Sequence, residues 1–248
     1  PDQSIRVHYN VCRHRGTRLL NEPSGNCGKV ITCPYHAWSY GLDGSRIGAP
    51  HMEETASFKK ADYPLIAPAQ YHWEGNVFVH LGQNPEPFEQ AYEPVLTKFA
   101  PWHLSELIPV RRAVYEVAAN GKLIVQNYSE CYHCPNQHPS LVEAALDISR
   151  YRIKVYPGYH RHITSDVGEQ QGYPIMHEDN GSSHEFGSWI VWPNMVFEVY
   201  PGGNLTVFHH TPAGPEQTHQ ETEWYFSAET QTPAEQAVHH LVHTVRPQ

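Results

Sequence analysis

Two short loops, Cys12-Arg-His14-Arg-Gly16 and Cys33-Pro-Tyr-His36-Ala-Trp38, constrain this chain more than any other feature. Each carries one thiol and one imidazole, and each follows a segment with β character. Ser4 to Val11 alternates (Ile5, Val7, Tyr9, Val11) and predicts a strand, and Lys29 to Thr32 predicts a second. Gly16, Gly28 and Pro34 shape the turns. Together the loops read C-x-H-x18-C-x2-H. Zinc takes two thiolates and two imidazoles tetrahedrally. A [2Fe–2S] cluster can take the two thiolates on one iron and the two imidazoles on the other. Cys27 lies between the loops, fits no ligand slot, and is expected to be a free thiol.

A second constellation lies mid-chain, in Asn127-Tyr-Ser-Glu-Cys-Tyr-His-Cys-Pro-Asn-Gln-His138. Two neutral imidazoles and a carboxylate suit Fe(II) in an oxygen-activating site. On a helix Glu130 and His133 lie about 60° apart and share a face, whereas His133 and His138 lie about 140° apart. Pro135 stands between the histidines and interrupts a regular helix. A wide turn there would swing His138 back toward His133. The spacing is not that of a zinc protease, whose two imidazoles are four residues apart. By itself it is equally compatible with polar residues closing a helix. Cys131 and Cys134 flank His133 and are expected to pack rather than ligate.

The net charge of −9 and the scatter of Lys and Arg argue against a nucleic-acid or anionic-membrane partner. No apolar run approaches the roughly 20 residues of a membrane span, and no signal peptide is visible. Five cysteines in 248 residues, few and odd in number, argue against a disulfide framework, and the metal-site spacing of two of them suits a reducing cytoplasm. Of the 19 histidines, the doublets His209-His210 and His239-His240 are read as surface residues of a strand and a helix. The chain opens on Pro1-Asp2-Gln3 and stops at Pro247-Gln248, and we read it as an internal fragment.

Further along, Tyr63 to Ala67 and Val77 to Leu81 predict short strands, the second after a turn at Trp73 to Asn76. Phe88 to Phe99 predicts a short helix broken by Pro94. Val110 to Ala118 predicts a strand, and Asn120 an N-cap for a helix over Lys122 to Cys131. Val142 to Ile148 predicts a short helix. Antiparallel strands follow at Tyr151–Tyr156, Ser188–Val191, Asn194–Tyr200, Leu205–Thr211 and Thr218–Ser227, with turns at Pro201-Gly-Gly203 and Pro212-Ala-Gly-Pro215. Thr232 to Thr244 predicts a closing helix.

The residues around the first four ligands closely resemble the two cluster loops of Rieske [2Fe–2S] proteins. With the mid-chain motif added, the chain is similar over essentially its whole length to the large (α) subunit of Rieske non-haem iron oxygenases. That resemblance implies an α+β fold: a small antiparallel β Rieske domain, then a helix-grip (START-like) catalytic domain whose antiparallel sheet surrounds a long helix. It divides the chain into residues 1–82, a linker with a short helix over 83–109, and a catalytic domain over 110–248, both domains being truncated. It implies that Cys12 and Cys33 hold one cluster iron, His14 and His36 the other, and that His133 and His138 hold the mononuclear iron. The position of Glu130 usually carries an Asp that bridges the cluster of one subunit to the iron of its neighbour. Glutamate there is similar to the branch that oxidises quaternary ammonium compounds. A second role for Glu130, orienting His133, is compatible with the first. The family's third iron ligand is an Asp, expected just beyond Gln248.

The resemblance further implies electrons from NAD(P)H through a flavin/iron–sulfur reductase, O2 as co-substrate, and a homotrimer. On a betaine, hydroxylation of an N-methyl carbon would give a carbinol that loses formaldehyde. A cationic substrate favours an aromatic cage, for which Tyr132, Trp189, Trp192, Phe197 and Tyr200 are candidates, each also explicable as sheet packing. Two other readings stay open: a ring-hydroxylating dioxygenase on an aromatic compound, and an electron carrier whose second domain is only structural.

Overall fold

The computed structural model describes residues 4–100, 103–139, 141–142, 146–165, 185–199 and 205–226. The chain forms two compact units, Pro1–Glu86 and Pro87–Gln248. Among the described residues no helix is long and apolar enough to cross a membrane.

The first unit holds an antiparallel three-stranded sheet of β1 (Val30–Thr32), β2 (Ser39–Gly41) and β3 (Arg46–Gly48), and a hairpin of β4 (Ala69–Trp73) and β5 (Asn76–His80). The β4–β5 turn falls at Glu74-Gly75, as the sequence predicts. Cys12, Leu19, Cys33, Trp38, Tyr40, Ala49 and Leu65 form its core. The guanidinium of the buried Arg46 lies over the Trp38, Phe58 and Tyr63 rings, at 4.5, 4.3 and 5.2 Å. Such cation–π contacts compensate a buried charge. Two predicted strands are absent. Ser4–Val11 joins no ladder beyond a single bridge from Val11 to Arg18. Tyr63–Ala67 is likewise irregular.

In the second unit Phe88–Phe99 divides into α1 (Phe88–Ala91) and α2 (Glu93–Phe99). The break is at Tyr92, and Pro94 sits in the first turn of α2, where its missing N–H costs nothing. Seven antiparallel strands follow: β6 (Ile108–Val117), β7 (Arg152–Tyr156), β8 (Tyr159–Ser165), β9 (Glu185–Val191), β10 (Met195–Val199), β11 (Leu205–Gly214) and β12 (Gln217–Phe226). Their spatial order is β6-β12-β11-β10-β9-β8-β7. The sequence reading missed β8. It also placed a turn at Pro212 to Pro215, whereas β11 continues through a bulge at Pro212/Gly214 and turns at Pro215-Glu216.

This order fixes where the mid-chain motif must lie. β6 and β7 are consecutive in sequence yet occupy opposite edges of the sheet. At about 4.8 Å per strand, the connection between them must cross roughly 29 Å of sheet face. It does so with α3 (Gly121–Tyr128) and α4 (Cys134–Gln137). Asn120 caps α3, its side chain accepting from the Lys122 amide. Val125 and Tyr128 of α3 pack on Ile190, Val196 and Phe208 of β9, β10 and β11. The opposite face carries Trp189 and Phe197, whose rings meet Phe99 of α2 at 4.7 and 5.5 Å. Every residue of β10 is therefore buried.

The helix predicted to run to Cys131 ends at Tyr128, so Glu130 stands on the loop beyond it. The Val142–Ile148 helix falls partly, and the Thr232–Thr244 helix, the Pro201-Gly-Gly203 turn and His239-His240 wholly, outside the described residues. His210 is 2% exposed and faces the interior, contrary to its reading as a surface residue.

Candidate iron centres

Each loop of the first unit is closed by its own backbone. The amide of Cys12 donates to the Thr17 carbonyl (2.8 Å) and Gly16 N–H to the Cys12 carbonyl (3.0 Å). In the second loop Cys33 N–H donates to Trp38 O (2.8 Å) and Ala37 N–H to Cys33 O (3.1 Å). Gly16 takes φ +71°, a left-handed conformation that glycine adopts without strain. Both thiols are buried and both imidazoles exposed. The His14 and His36 rings lie 4.7 Å apart, and His14 stacks on Trp38 at 4.6 Å. Burial pushes the Cys33 thiol up, but the Tyr35 and His36 amides and the Cys12 and Thr17 side chains draw it below the ordinary thiol value. Burial, then the charges of His36 and Arg15, lowers His14. The Tyr40 hydroxyl lies 3.3 Å from Cys12 Sγ and accepts from the Arg13 amide.

Among the described residues no three or more His, Cys, Asp or Glu side chains converge on one metal position. A Rieske cluster needs only one pair per iron: thiolates on one, imidazoles on the other. The pairs present here fit the cluster.

In the second unit His133 precedes the single turn of α4 and His138 closes it. Pro135 begins this turn instead of breaking a longer helix. His138 returns toward His133, the arrangement a wide turn allows: the two rings lie 5.2 Å apart at 78°. His133 Nδ1 donates to Glu130 Oε1, and the Tyr132 amide to Glu130 Oε2. This leaves His133 Nε2 for a metal. Burial raises the Glu130 carboxyl, but the hydrogen bonds from His133 and Tyr132 bring it below the usual carboxylate range. Burial and then the charge of His133 lower His138. A pair of imidazoles is a fitting start for a ferrous site. The expected Asp ligand is not among the described residues.

Three expectations change. Cys131 and Cys134 are joined in a disulfide that brackets His133, leaving Cys12, Cys27 and Cys33 free. Trp189 and Phe197 lie on the α2 face, opposite α3, and serve sheet packing, not a cage at the iron motif. Tyr132 is 95% and Trp192 53% exposed in this chain, and Tyr200 lies outside the described residues.

The sequence reading also missed groups near the motif. The Tyr151 hydroxyl lies 2.7 Å from His162 Nδ1, and burial followed by the Glu130 charge raises its pKa. His162 Nε2, Ser188 Oγ and Thr206 Oγ1 are buried without a partner among the described residues. Only the alternation of β8, β9 and β11 signals them, and it does not tell which face meets the iron motif.

Residues 1–59 match the Rieske [2Fe-2S] domain family, and residues 104–246 the ring hydroxylating alpha subunit (catalytic domain) family. The chain belongs to the alpha subunits of the Rieske-type ring-hydroxylating oxygenases, whose cofactors are a [2Fe–2S] cluster and a mononuclear iron. It is 32% identical to the carnitine monooxygenase oxygenase subunit of Acinetobacter pittii, over 93% of this chain and 62% of that protein. It is 34% identical to the glycine betaine monooxygenase oxygenase subunit of Pseudomonas aeruginosa, over 58% of this chain and 33% of that one. The structure of the quaternary ammonium Rieske monooxygenase CntA with L-carnitine superposes with a TM-score of 0.70 at 30% identity, covering 96% of this chain and 63% of that one. Naphthalene 1,2-dioxygenase from Rhodococcus sp. shares the fold (TM-score 0.72, 21% identity, 95% of this chain and 63% of that one). The chain thus spans about 62% of the length of the carnitine monooxygenase subunit that it matches.

Proposed function

We propose that this chain is the oxygenase component of a two-part system that removes an N-methyl group from a small quaternary ammonium compound or betaine. Cys12 and Cys33 hold the inner cluster iron, His14 and His36 the outer one, and His133 and His138 two positions of the mononuclear iron. When bound, the two centres supply stepwise electron transfer and O2 activation. The exposed His14 and His36 present the cluster to a reductase fed by NAD(P)H. Glu130 holds the His133 ring, and across a homotrimer interface it would carry the coupling between subunits. The sheet face and the α3–α4 segment seat the substrate and exclude water. Methyl hydroxylation consumes O2, two electrons and two protons, and gives the carbinol and water. The carbinol then separates into amine and formaldehyde. The compartment is the cytoplasm, where a separate reductase is available.

The observation that carries this reading is the Glu130–His133 hydrogen bond with His138 beside it, on a chain whose Rieske loops are intact. The relatives supply the substrate class. The test is turnover with NAD(P)H, a reductase and a trimethylammonium substrate. Formaldehyde release is expected, and His133→Ala should abolish it while leaving the visible spectrum of the cluster unchanged. A cis-dihydrodiol from an arene, with no formaldehyde, would assign the chain to ring dihydroxylation. Activity that survives His133→Ala would assign the chemistry elsewhere.

A further inference from the structure

A row of buried polar side chains crosses the α3 face of the sheet. His162 of β8 is paired with Ser188 of β9, Ser188 with Glu198 of β10, and Glu198 with Thr206 of β11. Directly paired residues point to one face and lie about 5 Å apart. The four are 1%, 2%, 7% and 1% exposed. Two apolar clusters fix the row's position. On β9, Ile190 is two residues to one side of Ser188 and is covered by Val125 and Tyr128 of α3. Phe186 is two residues to the other side and is covered by Cys134 and Leu146, with Cys131 and Tyr151 packed against them. The row therefore runs beneath the loop between α3 and α4, which carries Glu130 and His133. Tyr151 joins the two levels: its hydroxyl meets His162 Nδ1 at 2.7 Å, and it feels the Glu130 charge.

His162 Nε2, Ser188 Oγ and Thr206 Oγ1 have no partner among the described residues. Native interiors rarely keep such groups, because each forfeits its hydrogen bond to water. Three in one row, beneath the loop that carries Glu130 and His133, give a polar ligand three groups to meet. We propose that this row is the floor of the substrate site, and that His162, Ser188 and Thr206 recognise an oxygen at the end of the substrate remote from the methyl group attacked. The proposal rests on the demethylase reading for the substrate's cationic end only. Burial keeps the His162 ring neutral, with a pKa of about 4. With the Tyr151 hydroxyl donating to Nδ1, Nε2 carries the hydrogen and can donate to an oxygen. With the Glu198 carboxyl between Ser188 and Thr206 in the same row, these donors suit a hydroxyl better than a carboxylate.

Calorimetric titration of the iron-loaded protein, without reductant, tests this with three ligands of equal chain length: γ-trimethylammonium butyrate, the hydroxybutyl analogue and butyltrimethylammonium. At least one oxygen-bearing ligand is expected to bind about tenfold to a hundredfold more tightly than the alkyl compound. His162→Phe with Ser188→Ala should erase that preference, so that the variant binds all three ligands with equal affinity. His162→Gln, which keeps a donor, should restore part of it. Thr206→Val should weaken the preference less. Cluster absorbance and iron content confirm that each variant is folded. Equal binding of all three ligands by the unaltered protein, no binding of any, or a preference that survives the double substitution overturns the proposal. Oxygen-selective binding without formaldehyde release would sustain the floor and reject the demethylase reading.

Discussion

Glu130 accepts from His133 Nδ1, and that contact fixes the orientation of an imidazole carried on a loop. The carboxylate also takes the Tyr132 amide, so it is anchored to the backbone it helps to shape. Glu130→Gln keeps an acceptor for Nδ1 and removes the charge. Iron content should stay near that of the unaltered protein while turnover falls. Glu130→Ala frees the ring, and iron affinity should fall about 10–100-fold as well. Metal analysis beside formaldehyde release separates the two outcomes. Equal iron loss in both variants would mean that the charge, not the orientation, holds the site.

Several of these features were legible in the sequence because they are local. The spacing of Cys12, His14, Cys33 and His36 and the N-cap at Asn120 each depend on a few neighbouring residues. What was not legible depends on partners distant in sequence. Ser4–Val11 alternates, and alternation reports extended backbone, but among the described residues no strand lies alongside to form a ladder. Its middle is held instead by scattered bonds, among them Tyr9 N–H to Ile66 O and Val7 N–H to Gln70 Oε1. Trp189 and Ser188 alternate as well, and the period of two cannot say which side α2 or α3 will cover. His210 was misjudged for the same reason. The crossing from β6 to β7 chooses the face, and it is a property of the whole sheet order.

The Tyr40 hydroxyl, 3.3 Å from Cys12 Sγ, can donate to the sulfur. Hydrogen bonds to cluster sulfurs favour the reduced, more negative state and raise the potential. Tyr40→Phe removes one such bond from a fully buried position. A net bond of about 1 kcal/mol corresponds to roughly 40 mV for a one-electron couple. The reduction potential should therefore fall by some tens of millivolts, measured by a redox titration followed by EPR. An unchanged potential would show that the hydroxyl serves the Arg13 amide alone.

Asn120 does two things at the start of α3. Its Oδ1 accepts from the Lys122 amide at 3.0 Å, and its Nδ2 donates to the Pro215 carbonyl at 2.7 Å, tying the helix to the β11–β12 turn. Asn120→Asp keeps the cap and loses the tie. Asn120→Ala loses both, and the cap alone is worth about 1 kcal/mol. Thermal denaturation should rank the proteins unaltered, Asp, Ala. If Asp and Ala melt together, the tie to Pro215 dominates and the cap contributes little.

Burial, and then a neighbouring histidine in each case, lowers His162 and His210 to about 4. Their unfolded value is near 6.5. A depressed folded value means that the unfolded chain binds the proton first. The associated stability is therefore full above pH 6.5 and is lost as the pH falls toward 4. At pH 5 each imidazole accounts for a loss of about 2 kcal/mol. His210 isolates the effect because neither ring nitrogen has a partner among the described residues. His210→Leu keeps a similar volume and cannot take up a proton. Between pH 7 and pH 5, urea denaturation should show the unaltered protein losing about 2 kcal/mol more than this variant. Equal losses would mean that the imidazole at 210 is protonated as readily in the folded chain as in the unfolded one, contrary to its placement against Tyr128 and Phe208.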